Sequence, residues 1–380
     1  MARNRIIYQS EALFVGGTGV SGTGDFTQIH RVQSANYSFD LTRQDINQFG
    51  QLASVDRLIL EQPTVSLDFS YYTQSGDQEV AIGLTMEGDS AIAGILSGDD
   101  LGSPVHVKNY YIQTVGEGND AGDGASPVSG VIGIGNGFLS SYSCAGSVGD
   151  FVSSDVSVEG LNMVFSNQTL GAVPLPTIRQ SDGTSFGCPA NDCTAGTGVA
   201  LPAASYGTAT NLPNALRHGN VTVDLETGAS PTRADGTHHM KGFDEADLKP
   251  QNFSISFDLS RENLEKLGSR FAYSKEIEFP ATATFDCSSI VGDQLVAKDD
   301  DMLEQFMNVA DTSHNVVVSC AGFASAEKGL RYTLKAAKLD SYGLSSSIGD
   351  NKSLDATWSS QIGGPADTTH GIIIESIAVS

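Results

Sequence analysis

Apolar and polar residues alternate over Tyr37, Phe39 and Leu41, and again over Phe253, Ile255, Phe257 and Leu259. A period of two is that of a strand with one buried face. Each run then meets a hydroxyl residue, Thr42 or Ser260, suited to accept the free N–H groups of a first helical turn. Behind it, Ile46 and Phe49, or Leu264 and Leu267, fall three apart. Gly50 or Gly268 follows, where a left-handed helix C-cap needs a residue without Cβ. The pattern predicts strand, short helix, strand at both places. Alternation resumes at Leu58, Leu60, Val65, Leu67 and Phe69, and at Ile277, Phe279 and Phe285. Pro63 and Pro280 stand near the same point, where an edge or a bend tolerates a missing donor.

The two places are copies of each other. At a constant offset of 218, Phe39, Asp40, Leu41, Arg43, Gly50, Ile59, Thr64, Asp68 and Ser70 meet identical residues from Phe257 to Ser288. Later in the chain LSSYSCAGSVGDFVSSDVSV (139–158) meets LDSYGLSSSIGDNKSLDATW (339–358), with eight of twenty positions identical. There the Gly149-Asp150 and Gly349-Asp350 pairs read as turns joining two strands, with Asp bonding backbone donors within the bend. The runs Tyr110–Val115 and Val316–Phe323 correspond approximately, and residues 6–15 and Val221–Leu225 read as opening strands. Two helix candidates, 89–96 and 300–307, are also equivalent.

Between the copies, Pro174, Pro176, Pro189, Pro202 and Pro213 exclude long regular elements. With 42 glycines in 380 residues and few helical patterns, the chain reads as mainly β. The expected architecture is two tandem β-sandwich or barrel-like domains, each with one or two short flanking helices. The first spans 1–167, a Pro/Gly-rich linker spans 168–217, and the duplicate spans 218–380.

Charge changes the picture more than composition does. There are 21 Lys and Arg against 45 Asp and Glu, a net of −24. Residues 1–170 hold 6 basic and 19 acidic side chains, net −13, which leaves −11 for the rest, so the acidity is dispersed. Such a balance opposes tight phosphate binding, yet a repulsive wall suits a conduit that polyanions pass without sticking.

Candidate chemistry is sparse. Cys144, Cys287 and Cys320 sit in strand-like runs and read as buried thiols. Cys188 and Cys193 could form a local disulfide or half a metal site, but no second pair is near. The adjacent His238 and His239 lack further ligands at metal spacing, and no histidine recurs between copies. The glycine-rich run from Gly16 to Gly24 lacks the Lys-Ser/Thr pair of a phosphate loop. The acidic Gly116–Gly130 loop is out of register for calcium, and Asp150 with Asp155 is better explained by turn chemistry than by acid–base catalysis. The expectation is no enzyme and no cofactor. No run reaches membrane-spanning length, and the first residues do not form a secretory signal.

With the copies aligned, the chain resembles the tail-tube (major tail) proteins of long-tailed bacteriophages. The resemblance rests on the strand-DLTR-helix-Gly-strand unit (Phe39 to Phe69, Phe257 to Cys287) and on the SY-x4-S-[VI]-GD-x2-S-x-D hairpin (Ser141 to Asp155, Ser341 to Asp355). It implies a virion protein, made in the host cytoplasm, whose domains form stacked six-domain rings around a channel for DNA. Two domains in one chain imply rings of three chains. The implied partners are further copies of itself, through ring and stack contacts, other tail proteins (tape measure, terminator, tip) and passing DNA that is not tightly bound. The assembly residues expected on this reading are Thr42, Arg43, Gly50, Gly149 and Asp150 with their counterparts Ser260, Arg261, Gly268, Gly349 and Asp350. Arg43 and Arg261 are expected to pair with Asp40 and Asp258 or with a neighbouring subunit. The alternative is another virion component: a decoration, baseplate or receptor- or glycan-binding β-sandwich, for which only Trp358 offers a stacking indole.

Overall fold

A computed structural model describes residues 6–18, 26–59, 61–86, 88–96, 107–121, 128–166, 173–178, 199–205, 215–226, 249–268, 271–272, 274–290, 313–321, 328–345 and 351–378. The helix candidate at 300–307, Cys188, Cys193, His238, His239, Gly349 and Asp350 lie outside these residues. The fold is mainly β, as the composition implies.

The first half contributes β1 (Ile6–Gly17), β2 (Phe26–Ile29), β3 (Val32–Asp40), β4 (Arg43–Ile46), β5 (Asp56–Ile59) and β6 (Thr64–Tyr72). After two short helices, α1 (Asp77–Ala81) and α2 (Ala93–Leu96), come β7 (Lys108–Gly116), β8 (Val128–Ser147), β9 (Ser153–Gly160) and β10 (Asn162–Ser166). The second half repeats the order with β11 (Val221–Glu226), β12 (Lys249–Asp258), β13 (Arg261–Leu264), β14 (Ser274–Ile277) and β15 (Ala281–Ile290). It ends with β16 (His314–Cys320), β17 (Lys328–Ser345), β18 (Ser353–Ile362) and β19 (Gly371–Ala378).

Pairing repeats as well. Strand β6 lies between β3 and β9, and β9 pairs β8; likewise β15 lies between β12 and β18, and β18 pairs β17. The long strands β8 and β17 each serve two layers. Their first parts pair β7 and β10, or β16 and β19, and their second parts join β9 or β18. The change of layer falls at Asn136 and Ala336, both with positive φ (54° and 50°). Asn136 N–H donates to Asn109 Oδ1 (3.1 Å), and Ala336 N–H donates to Asn315 Oδ1 (3.2 Å). A strand turning a corner leaves a ladder donor unmatched, and an asparagine on the neighbouring strand accepts it.

An alanine at such a φ is strained, whereas glycine is not. Ala336→Gly is therefore expected to raise stability by about 0.5–1 kcal/mol, net of glycine's larger unfolded-state entropy. Chemical denaturation with an unchanged m-value is the check.

The expected helices after Thr42 and Ser260 do not form. Residues Arg43–Ile46 pair antiparallel with Asp56–Ile59, and Arg261–Leu264 pair with Ser274–Ile277, so each unit carries a β-hairpin arm. A helix of two turns has few internal bonds to offset its nucleation cost, whereas the hairpin satisfies the same backbone groups across the arm. In the first arm Asp45 also faces Arg57 across the strands, and the two form an ion pair at 2.5 Å. Gly50 and Gly268 do adopt positive φ (90° and 88°), in the loops of these arms instead of at helix ends. Within the candidate 89–96, helix is confined to Ala93–Leu96.

The alternating patterns place one face of each layer inside. Val65, Leu67, Phe69 and Tyr71 are buried on β6, and Ala281, Ala283, Phe285 and Cys287 on β15. One hydrophobic cluster takes residues from both halves, from Leu13 and Tyr110 to Leu330 and Ile374. Ala91 N–H also donates to Ile372 O across the halves (2.8 Å). The described parts of the connection pack on the first half: Val173 bridges Val199, and both are buried with Phe14 and Tyr111. Pro176 crosses β8 so closely that a Cβ at Gly135 would lie 2.1 Å from its carbonyl oxygen.

Candidate functional site: a polar sheet face and an internal seam

The two halves are joined by a strand pair. Strand β12 of the second half lies antiparallel to β8 of the first, with Phe257 opposite Tyr142, Ile255 opposite Cys144 and Ser256 opposite Ser143. Leu259 N–H extends the seam by donating to Ser140 O (2.6 Å). The inward side chains are sealed: Ile255, Leu259, Tyr142 and Cys144 are wholly buried, and the Phe257 ring stacks on Tyr142 with centroids 5.6 Å apart. The result is one layer of eight strands in the order β17-β18-β15-β12-β8-β9-β6-β3.

The outward face of this layer is polar. Cross-strand hydroxyl pairs recur at equivalent places, Ser38 with Ser66 (2.9 Å) and Ser256 with Thr284 (2.9 Å). Asp68, Asp155, Glu159, Asp258, Asp286 and Asp355 are exposed there, and the outward positions of β6, β9, β15 and β18 hold no lysine or arginine. Such a face repels polyanions over a Debye length of about 8 Å at physiological salt.

The second-half arm closes over the end of the seam. Arg261 lies 5.1 Å from the Phe138 ring centroid and donates to Lys275 O, and the Lys275 ammonium lies 5.3 Å from the same ring. Lys275 also forms a 2.8 Å ion pair with Glu159 of the first half. Phe271 packs beside Val107, Phe138, Leu161 and Ile178. Arg261 thus reaches from the second-half arm to the Phe138 ring of the first half. Its counterpart Arg43 stands on the first arm, whose residues Ile46, Phe49, Leu52, Val55 and Leu58 are all exposed. Thr42 and Ser260 are exposed at the bases of the two arms.

At the β8–β9 turn, Gly149 has φ 98°, Asp150 N–H donates to Ser147 O, and Ser147 Oγ donates to Asp150 Oδ2 (3.0 Å). Asp150 is a turn residue, as its sequence suggests.

One buried polar group had no sequence signal. Glu79 on α1 is fully buried; its Oε1 accepts from the Tyr71 hydroxyl (2.9 Å) and the Tyr142 hydroxyl (3.3 Å), and Tyr142 is in turn 2.8 Å from Tyr332 of the second half. Burial pushes the Glu79 carboxyl above the usual carboxylate range, against the lowering effect of these bonds. The three tyrosines are pushed up by burial and by Glu79. Burial likewise holds the Cys144 thiol up at about 11 and, with Asp355 and Asp286, the Cys287 thiol at about 12. Thiols so held stay protonated near neutrality and are poor nucleophiles. Among the described residues no cluster of three His, Cys, Asp or Glu side chains could hold a metal ion. No helix among them is long and apolar enough to cross a membrane.

No protein-family model matches the chain, and no curated protein matches it either. Among solved structures it is similar to the tail of an empty GTA particle with C6 symmetry, at 12% identity and a TM-score of 0.25, over 37% of this chain and 92% of that one. A second match is to the virion of a native gene transfer agent particle, at 10% identity and a TM-score of 0.23, over 43% of this chain and 98% of that one. Likeness at this level carries no functional argument.

Proposed function

We propose that the chain is a self-assembling virion structural protein, the tube (major tail) subunit of a phage-type tail, with no catalytic role. On this reading residues 1–167 and 218–380 are two tube units joined by 168–217. Three chains close a pseudo-hexameric ring, and rings stack into a conduit for DNA ejection, made in the host cytoplasm and retained in the virion. Tape-measure, terminator and tip proteins would contact its ends.

The observation that carries the reading is the single eight-stranded layer built from both units, with an acidic, hydroxyl-rich outer face. Turned inward around a channel, that face would guide DNA without holding it. The glycan-binding alternative finds less support, because the Trp358 indole is only 4% exposed and packs on Phe285 at 5.6 Å.

Negative-stain microscopy of the purified chain should show rings about 100 Å across, the size implied by six domains of ordinary radius, or tubes of that width. A monodisperse monomer at high concentration would overturn the reading. In the same preparation DNA binding should be absent at low salt; salt-sensitive binding would overturn the lumen assignment.

A further inference from the structure

The short helices α1 and α2 belong to the first half but rest on the second. A Cβ added at Gly76, the residue before α1, would lie 2.9 Å from Leu330 Cδ2 on β17, and Ala91 N–H, just before α2, donates to Ile372 O on β19 (2.8 Å). Thr85 N–H donates to Ala91 O (2.7 Å) and Gly94 N–H donates to Thr85 Oγ1 (2.8 Å), which ties the residues after α1 to α2. Ile82, Leu84, Ala91, Ile92 and Ile95 enter the core shared by both halves. With five and four residues the helices have little stability of their own, so the contacts beneath them decide whether they stay down.

Glu79 is the polar group beneath. Its Oε1 accepts from the Tyr71 and Tyr142 hydroxyls, while its Oε2 has no hydrogen-bond partner. Among the described residues no lysine, arginine or histidine pairs with it. The titratable groups that face it are Tyr71 from β6, Tyr142 and Cys144 from β8, Tyr332 from β17 and Asp77 on its own helix. On the Gln78 side of α1, His30 and Arg31 follow β2, and His30 O accepts from Gln78 Nε2 (2.9 Å). A carboxylate in this setting has two phenol donors and no countercharge, whereas the neutral acid is far less costly to bury. Burial raises the Glu79 carboxyl accordingly. The ionised side chain regains water, short of global unfolding, when α1 lifts.

We infer that α1 and α2 form a proton-controlled latch between the halves, closed on β17 and β19 while Glu79 is protonated and lifting when that proton passes to solvent. The latch belongs to the single chain and stands whether or not the chain forms tubes. Cys144 lies beneath it: its Sγ is 3.9 Å from Thr73 Oγ1, shortly before α1, and is in hydrogen-bond contact with the Tyr332 hydroxyl. Lifting therefore uncovers the Cys144 thiol. Cys287 on β15, whose charged neighbours are Asp286 and Asp355 instead of Glu79, is uncovered only when its own layer unfolds.

The test labels the native full-length chain with an uncharged methanethiosulfonate between pH 5.5 and pH 8, read cysteine by cysteine by mass spectrometry. Taking the ratio of the Cys144 rate to the Cys287 rate cancels the pH dependence of thiolate formation in the opened states. That ratio should rise at least about tenfold over the range, since below the folded-state value each pH unit favours the lifted form by up to about tenfold. In Glu79→Gln, which keeps an acceptor and has no proton to lose, the ratio should stay within about twofold. A flat wild-type ratio with both rates rising would make Glu79 a group of global stability and overturn the latch. A rise of the same size in Glu79→Gln would assign the opening to another group and overturn it too. Hydrogen exchange of the wild-type chain is the arm that needs no variant: the Ala91 amide should lose protection with rising pH beyond its intrinsic rate while the amides of β15 keep theirs, and equal loss at both would overturn the latch.

Discussion

Phe257→Ala is expected to destabilise the chain by about 3–5 kcal/mol, the range for emptying a packed aromatic site. Phe39→Ala, the same substitution at the equivalent position of the first half, should cost less than about 1 kcal/mol below the assembly concentration. Sequence offers no basis for the difference, since SFDL stands in both places. The cause is the neighbour: Phe257 has β8 beside it and the Tyr142 ring stacked on its own, whereas among the described residues β3 is paired on one side, to β6, and Phe39 is 42% exposed. Truncating Phe257 removes that stacking and leaves a cavity in the core shared by both halves, so unfolding should remain one transition at lower denaturant. Guanidinium unfolding of both variants checks this. Equal losses at the two positions would show that β3 is covered in the isolated chain.

The strands were legible where one residue in two is apolar and the pattern is local. The alternation on β6, β15 and β18, the Gly149-Asp150 turn and the buried thiols of Cys144, Cys287 and Cys320 all follow from adjacent residues. The arms were misread because three-residue spacing of Ile46 with Phe49 suits a short helix as well as a hairpin, and only pairing with residues about ten positions on decides between them. The seam was not legible because its strands are about 110 residues apart, and no periodicity within either strand names its partner. The corner asparagines escaped for a different reason: Asn109 and Asn315 are 206 apart, between the offsets of 218 and 200 that align the flanking blocks.

Glu79 had no signal in the sequence, and its burial among three tyrosines comes from tertiary packing alone. It sets the second large effect, on pH dependence. Its folded-state carboxyl is held above the unfolded value, so the folded chain binds the proton more tightly than the unfolded chain does. Stability from this group is therefore full below about pH 4.5, falls as pH rises through the folded-state value, and stays low above it. Glu79→Gln keeps an oxygen to accept from Tyr71 and Tyr142 but cannot ionise. It should flatten that slope and make the variant more stable than wild type at pH 8 by about 1–3 kcal/mol, the cost of a charged group buried with one oxygen unsatisfied. Near pH 4 the two proteins should differ by less than about 1 kcal/mol, since both then carry a neutral side chain in the same place. Glu79→Ala removes the acceptor as well and should be the least stable of the three at pH 4, where no charge is relieved. Urea unfolding of all three at pH 4, 6 and 8 gives the slopes directly. A Glu79→Gln curve parallel to wild type across that range would mean the carboxylate is already neutral or already solvated throughout.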